Sequence, residues 1–86
     1  MYNFSDQVAV VTGGAGNLGQ AVVRAFHAAG ARVAVVVRKP QDAVEVFGED
    51  LPESDTCAYF AADLADEGSV TAVARDIARR FGRIDI

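Results

Sequence analysis

Eight residues carry the clearest chemical signal in this 86-residue chain. Thr12-Gly-Gly-Ala-Gly-Asn-Leu-Gly19 holds Gly14, Gly16 and Gly19 at G-x-G-x-x-G spacing. Glycines so placed let the backbone turn tightly, approach a pyrophosphate closely and pack a helix hard on a sheet. A helix that starts there offers free N–H groups and a partial positive charge to phosphate oxygens. Glycines also serve ordinary turns, so the pattern needs its context: a buried strand before it and an amphipathic helix after it. Both are present, and the reading is dinucleotide binding. A phosphate-binding P-loop would need Lys and then Ser or Thr after Gly19; Gln20 and Ala21 stand there, which rejects ATP or GTP hydrolysis. Farther on, Val37-Arg38-Lys39 occupies the place where many such units carry an acid for the ribose hydroxyls. A guanidinium at Arg38 suits a phosphate instead, through bidentate hydrogen bonds with no carboxylate beside it.

Other reactive side chains give less. The single His27 and single Cys57 leave no zinc cluster to assemble and no intramolecular disulfide to form, so no metal site is expected. His27 lies beside the apolar stripe of a helix and reads as a surface residue. Cys57 opens a strand and reads as packing. Arg75, Arg79, Arg80 and Arg83 lack interleaved aromatics and read as a solvated face, with Asp76 and Arg80 an i,i+4 pair.

The elements that must position the loop follow from periodicity. Val8–Thr12, Arg32–Val37 and Cys57–Ala61 have strand character, and the first two are almost continuously apolar, as parallel strands buried on both faces are. Leu18, Ala21, Val22, Ala25, Phe26 and Ala29 make one helical stripe; Val70, Val73, Ala74, Ile77, Ala78 and Phe81 make another. Gly30 and Gly82 follow these helices and suit a left-handed end. Asp66 suits an N-cap. Ala43, Val44 and Phe47 allow a short helix stopped by Gly48. Glu49 to Asp55 reads as an acidic surface loop. The order is β-α-β-α-β-α, with Arg83-Ile-Asp-Ile86 starting a fourth strand. The expected fold class is α/β: a Rossmann-like, three-layer arrangement with a parallel sheet ordered 3-2-1 and strand four beside strand one.

With Thr12 included, the loop resembles that of the short-chain dehydrogenase/reductase family. Val10-Val-Thr-Gly13, Gly30-Ala-Arg-Val33, Asp63-Leu64 and Phe81-Gly-Arg-Ile-Asp85 extend the resemblance over essentially the whole chain. The glycines fit T-G-x-x-G-x-x-G through Gly13, Gly16 and Gly19, while Asn17 departs from the commoner family pattern. Asn tolerates positive φ better than most residues, so the loop need not be lost. The resemblance implies that Gly13, Gly16 and Gly19 shape the pyrophosphate cradle and that Asn17 and Leu18 line it. It implies that Arg38 holds the 2′-phosphate of NADP, that Asp63 accepts the adenine amino group and that Leu64 adds backbone beside it. The implied cofactor is NADP in preference to NAD. The implied activity is hydride transfer between the nicotinamide and an alcohol or carbonyl substrate.

Family chemistry uses a tyrosine, a lysine four residues later and a serine. Here Tyr2 and Tyr59 are followed at that spacing by Asp6 and Asp63, the sole lysine is Lys39, and Ser5, Ser54 and Ser69 sit in other elements. No catalytic residue is assigned within these 86 residues. Residues 1–86 therefore read as the N-terminal part of a single NAD(P)-binding Rossmann domain, inactive alone, and the alternative is a non-catalytic NADP-binding or redox-sensing module. A net charge of −4 argues against nucleic acid and anionic membranes as partners. No apolar run approaches a membrane span, and no signal-like N-terminus is present. A cytoplasmic protein and, for the complete enzyme, a homo-oligomer are the expectation.

Overall fold

The computed structural model of the chain describes residues 6–86, so Tyr2 and Ser5 lie outside the described residues. Its elements run β1 (Val8–Thr12), α1 (Asn17–Ala28), β2 (Arg32–Val37), α2 (Pro40–Phe47), β3 (Cys57–Ala61) and α3 (Glu67–Phe81). The strands are parallel and β2 is central, with Val8 paired to Arg32 and Val33 to Cys57. β2 takes the middle because Val33 through Val37 are all buried, and only a central strand covered on both faces hides five consecutive side chains.

Alternation divides these side chains between two cores. Val11, Val33, Val35 and Val37 pack with Val23 of α1 and with Ala43 and Phe47 of α2. Val8, Ala34, Val36 and Ala58 face the other way, onto Val73, Ile77 and Phe81 of α3. Helices thus cover both faces of one parallel sheet, the Rossmann-like three-layer arrangement.

Helix ends follow local chemistry. The Asp66 side chain accepts the Gly68 N–H at the start of α3, and Gly82 ends that helix at φ 83°. After α1, the Ala31 N–H donates to the Phe26 carbonyl and the Gly30 N–H to that of His27, with Gly30 at φ 96°. That double bond is a Schellman ending, which glycine adopts without Cβ strain. Gly48 differs: it is right-handed, and it is needed for space, since a Cβ there would stand 2.4 Å from the Val44 carbonyl oxygen.

Four expectations require correction. The α1 stripe is rotated: Leu18 is 79% exposed and Ala21 and Ala25 also face outward, while Val23 is fully buried. The helix meets the loop at Gly19, so the inner ridge runs from Gly19 to Val23 rather than through Leu18. On α3 only Val73, Ile77 and Phe81 are buried, and Val70, Ala74 and Ala78 form an exposed ridge beside them. The acidic loop is not merely solvated: Leu51 is buried, Asp50 pairs with Arg24, and Glu53 accepts the Tyr59 N–H. Arg80 leaves Asp76, donating instead to the Ser54 carbonyl while its guanidinium lies over the Phe81 ring.

The sheet has three strands, and residues 83–86 are not a strand of it, but their backbone pairs with β1 on the side where the fourth strand is expected. The Ile86 N–H donates to the Val8 carbonyl and the Val10 N–H to the Ile86 carbonyl, a parallel rung on the free side of β1. The Asp85 carboxylate reinforces it, accepting from the Val8 N–H at 2.9 Å and from Arg83 at 2.7 Å.

Candidate functional site

Three parallel strands end on the same edge, and the loops that leave them build two adjoining clefts. The chain leaves β1 through Gly13, which adopts φ 65°, a left-handed conformation open to glycine. The next glycine is demanded by packing, because a Cβ on Gly14 would lie 2.5 Å from Val35 Cγ1. Gly19 is the most constrained, as its Cβ would stand 2.1 Å from the Gly13 carbonyl oxygen. Gly16 is looser, with 3.4 Å to the same atom. Asn17 is not among the positive-φ residues; it is the first residue of α1, so the tolerance of Asn for left-handed backbone is not used.

Gly16 is the N-cap of α1, no side chain caps that end, and its first turn holds no acid. The N–H groups at the helix start therefore face the first cleft without an internal competitor, the arrangement that favours an anion. This cleft is lined by Thr12, Gly13, Gly16, Asn17, Leu18 and Gly19, with Val10, Val22 and Phe26 as an apolar wall. Gly13 also borders the second cleft, with Val36, Val37, Arg38, Ala62, Asp63 and Leu64. All eight residues singled out in the sequence, Gly13, Gly16, Asn17, Leu18, Gly19, Arg38, Asp63 and Leu64, line one cleft or the other.

The polar rim is set by local bonds. Among the described residues no carboxylate makes an ion pair with Arg38 or Lys39, so both keep their charge available to an anion. The Asp63 Oδ1 accepts the Ala65 N–H at 3.0 Å, and the Asp63 N–H donates to Ser69 Oγ at 2.9 Å. Sequence reasoning passed over Ser69; its signal was a hydroxyl at the third position of α3, where side chains reach back to preceding N–H groups. Leu64 stands 53% exposed above the second cleft.

The remaining reactive groups are built into the fold. Tyr59 donates its hydroxyl to the Leu51 carbonyl at 2.6 Å, and burial, with Cys57, Glu53 and Asp50 nearby, raises its pKa. Cys57 is fully buried, and burial chiefly, with Glu53 adding, pushes its thiol up to about 11. His27 is half-buried and reaches Thr56 Oγ1 at 3.1 Å. None of the three lines either cleft.

A family model described as short chain dehydrogenase matches residues 7–86. The chain belongs to the short-chain dehydrogenase/reductase family. Across 99% of its length it is 36% identical to D-threitol dehydrogenase of Mycolicibacterium smegmatis, of which it covers 33%. A metagenomic short-chain oxidoreductase in complex with NADP matches with a TM-score of 0.84 at 31% identity, over 96% of this chain and 38% of that one. A 3-ketoacyl-(acyl-carrier-protein) reductase from Brucella melitensis, complexed with NADH, matches with a TM-score of 0.84 at 30% identity, over 96% and 33%. The chain thus spans about a third of the length of the curated relatives it matches. This short-chain dehydrogenase/reductase chain carries the family's parallel sheet and glycine loop. Among the described residues no helix is long and apolar enough to cross a membrane, and no group of three His, Cys, Asp or Glu could hold a metal.

Proposed function

We propose that this chain binds the nicotinamide dinucleotide of an NADP-preferring short-chain dehydrogenase/reductase, as the N-terminal part of a single Rossmann domain. The carrying observation is Gly13, which lines both clefts, so that the uncapped start of α1 adjoins the cleft of Arg38 and Asp63. The residues fit such a group: a Cβ at Gly14 or Gly19 would collide with the fold, the helix start has no side-chain cap, and among the described residues Arg38 has no acidic partner. The pyrophosphate would lie over Gly13, Gly16 and the N–H groups of Asn17, Leu18 and Gly19. Arg38 would hold the 2′-phosphate, Asp63 the adenine amino group, and Leu64 would cover the adenine ring. When bound, the nicotinamide would supply hydride exchange with an alcohol or carbonyl carbon in the complete enzyme. These 86 residues hold no Tyr-x-x-x-Lys, so they bind and orient but do not turn over.

Titrating the labelled chain with NADP, NAD and adenosine 2′,5′-bisphosphate, observed by amide chemical shift, tests the assignment. Shifts should cluster at Gly13, Gly16 to Gly19, Arg38, Asp63 and Leu64, and NADP should bind about tenfold to a hundredfold more tightly than NAD. Shifts confined to other surfaces, or tighter binding of NAD, would contradict it. A second reading on the same two clefts is a non-catalytic NADP-binding or redox-sensing module. A Tyr-x-x-x-Lys encoded downstream, with alcohol- or carbonyl-dependent turnover by the longer protein, separates the two.

A further inference from the structure

The second cleft has one wall that the sheet does not hold. The Ala62 N–H makes the last bond to β2, donating to the Val37 carbonyl at 2.9 Å, and the next three residues must cross to α3 unsupported by the ladder. Yet these residues, Asp63 to Ala65, form that wall.

They are fixed by a ring of short bonds to the start of α3. The Asp63 carbonyl accepts the Asp66 N–H at 3.0 Å, and its carboxylate Oδ1 accepts the Ala65 N–H at 3.0 Å. The first bond reaches the N-cap of α3 and the second closes within the loop, and neither engages the Asp63 N–H. The bond from the Asp63 N–H to Ser69 Oγ is different, because it ties the first residue of the loop to the third residue of the helix. Asp66 separately caps α3 through Gly68, so the helix end does not depend on the serine. Ser69 is half-buried beside the α3 stripe. A capping-box side chain at this position normally reaches the N-cap N–H. Here it reaches three residues farther back, to the residue facing the cleft.

We propose that Ser69 is a positioning residue for the nucleotide site, holding Asp63 where its carboxylate accepts the adenine amino group. The inference rests on the dinucleotide reading above. Without the hydroxyl the Asp63 N–H loses its partner and the Asp63–Ala65 segment drifts. Discrimination between adenine and hypoxanthine then weakens, because hypoxanthine presents an oxygen where adenine presents the amino group. The phosphate contacts at Arg38 and at the α1 start are untouched by the change.

The test compares adenosine 2′,5′-bisphosphate with inosine 2′,5′-bisphosphate on the 86-residue chain and its Ser69→Ala and Ser69→Thr variants, by calorimetry and amide shifts. The original chain should favour the adenine nucleotide, Ser69→Ala should lower that preference about three- to tenfold while inosine binding holds, and Ser69→Thr should restore it. Hydrogen exchange at the Asp63 amide should accelerate in Ser69→Ala alone, with α3 protection retained. An unchanged preference in Ser69→Ala, or an equal loss for both nucleotides, overturns the positioning role. Failure of the original chain to bind either nucleotide overturns the cofactor reading itself, and this inference with it.

Discussion

At the residue scale, the glycines of the loop are not equivalent, and the distances rank them. Gly19 would drive a methyl into the Gly13 carbonyl at 2.1 Å, and backbone cannot yield as a flexible side chain does. Gly19→Ala should destabilise the chain by about 3 kcal/mol, the upper range for overpacking, whereas Gly16→Ala should cost under about 1 kcal/mol; urea titration of both variants separates them. Arg38 is the residue on which cofactor choice turns. Arg38→Ala should remove about 1.5–3 kcal/mol of binding to NADP and leave NAD unaffected, as competitive titration would show. Val37 is a poor place for the opposite swap, since it is 4% exposed and packs with Ala43 and Phe47, where a new carboxylate would be buried without a partner. Cys57 should resist thiol reagents at pH 8 until the chain unfolds, because it is buried and its thiol is raised from 9.0 to about 11. In that window the unfolded thiol has ionised and the folded one has not. Stability therefore falls as pH rises from about 9 to about 11, which melts at a series of alkaline pH values would detect.

At the element scale, the segment after α3 is docked by one side chain. Asp85 reaches back over 77 positions to the Val8 N–H while Arg83 holds its other oxygen. The Arg83 hydrogen bond first, and the Val8 N–H second, hold the Asp85 carboxyl below its ordinary value of 3.8. A depressed carboxyl stabilises the fold above its ordinary pKa and ceases to do so as pH falls through the folded value. Amide protection at Val10 and Ile86 should therefore decline below about pH 4, ahead of the β1–β2 ladder, and Asp85→Ala should show the same loss at pH 7. Hydrogen exchange followed by nuclear magnetic resonance resolves these amides individually. The α1–α2 contact is organised differently, by Arg24 lying 5.1 Å from the Phe47 ring centroid and pairing with Asp50. That arginine acts with the buried Leu51 and the Glu53–Tyr59 bond to draw the acidic loop, expected to be solvated, onto the fold.

At the scale of the whole molecule, apolar surface remains on both sides of the sheet. Leu18 is 79% exposed, Val70 38%, Ile84 46% and Ile86 45%. Beyond Val10, the free edge of β1 has no backbone partner among the described residues. An unpaired edge beside exposed apolar side chains favours association between chains. Sedimentation of the 86-residue chain should show concentration-dependent self-association, and a monodisperse monomer with a cooperative high-temperature melt would contradict this.

The strands were legible because their information is local: short, nearly continuous valine runs suit a strand buried on both faces, and Gly30, Gly48, Gly82 and Asp66 mark where helices start or stop. The glycine loop was legible for the same reason, since steric tolerance belongs to the residue type. Which face of α1 and α3 is buried was not. Leu18, Ala21 and Ala25 have the periodicity of a core stripe, but the approach of Gly19 to the Gly13 carbonyl turns the helix so that Val23 points inward. The roles of Asp85, Arg24, Glu53 and Ser69 were equally hidden. Each is a polar side chain whose partner is a backbone group or charge brought near only by folding, and spacing along the chain carries no trace of a contact that the sheet and its crossovers create.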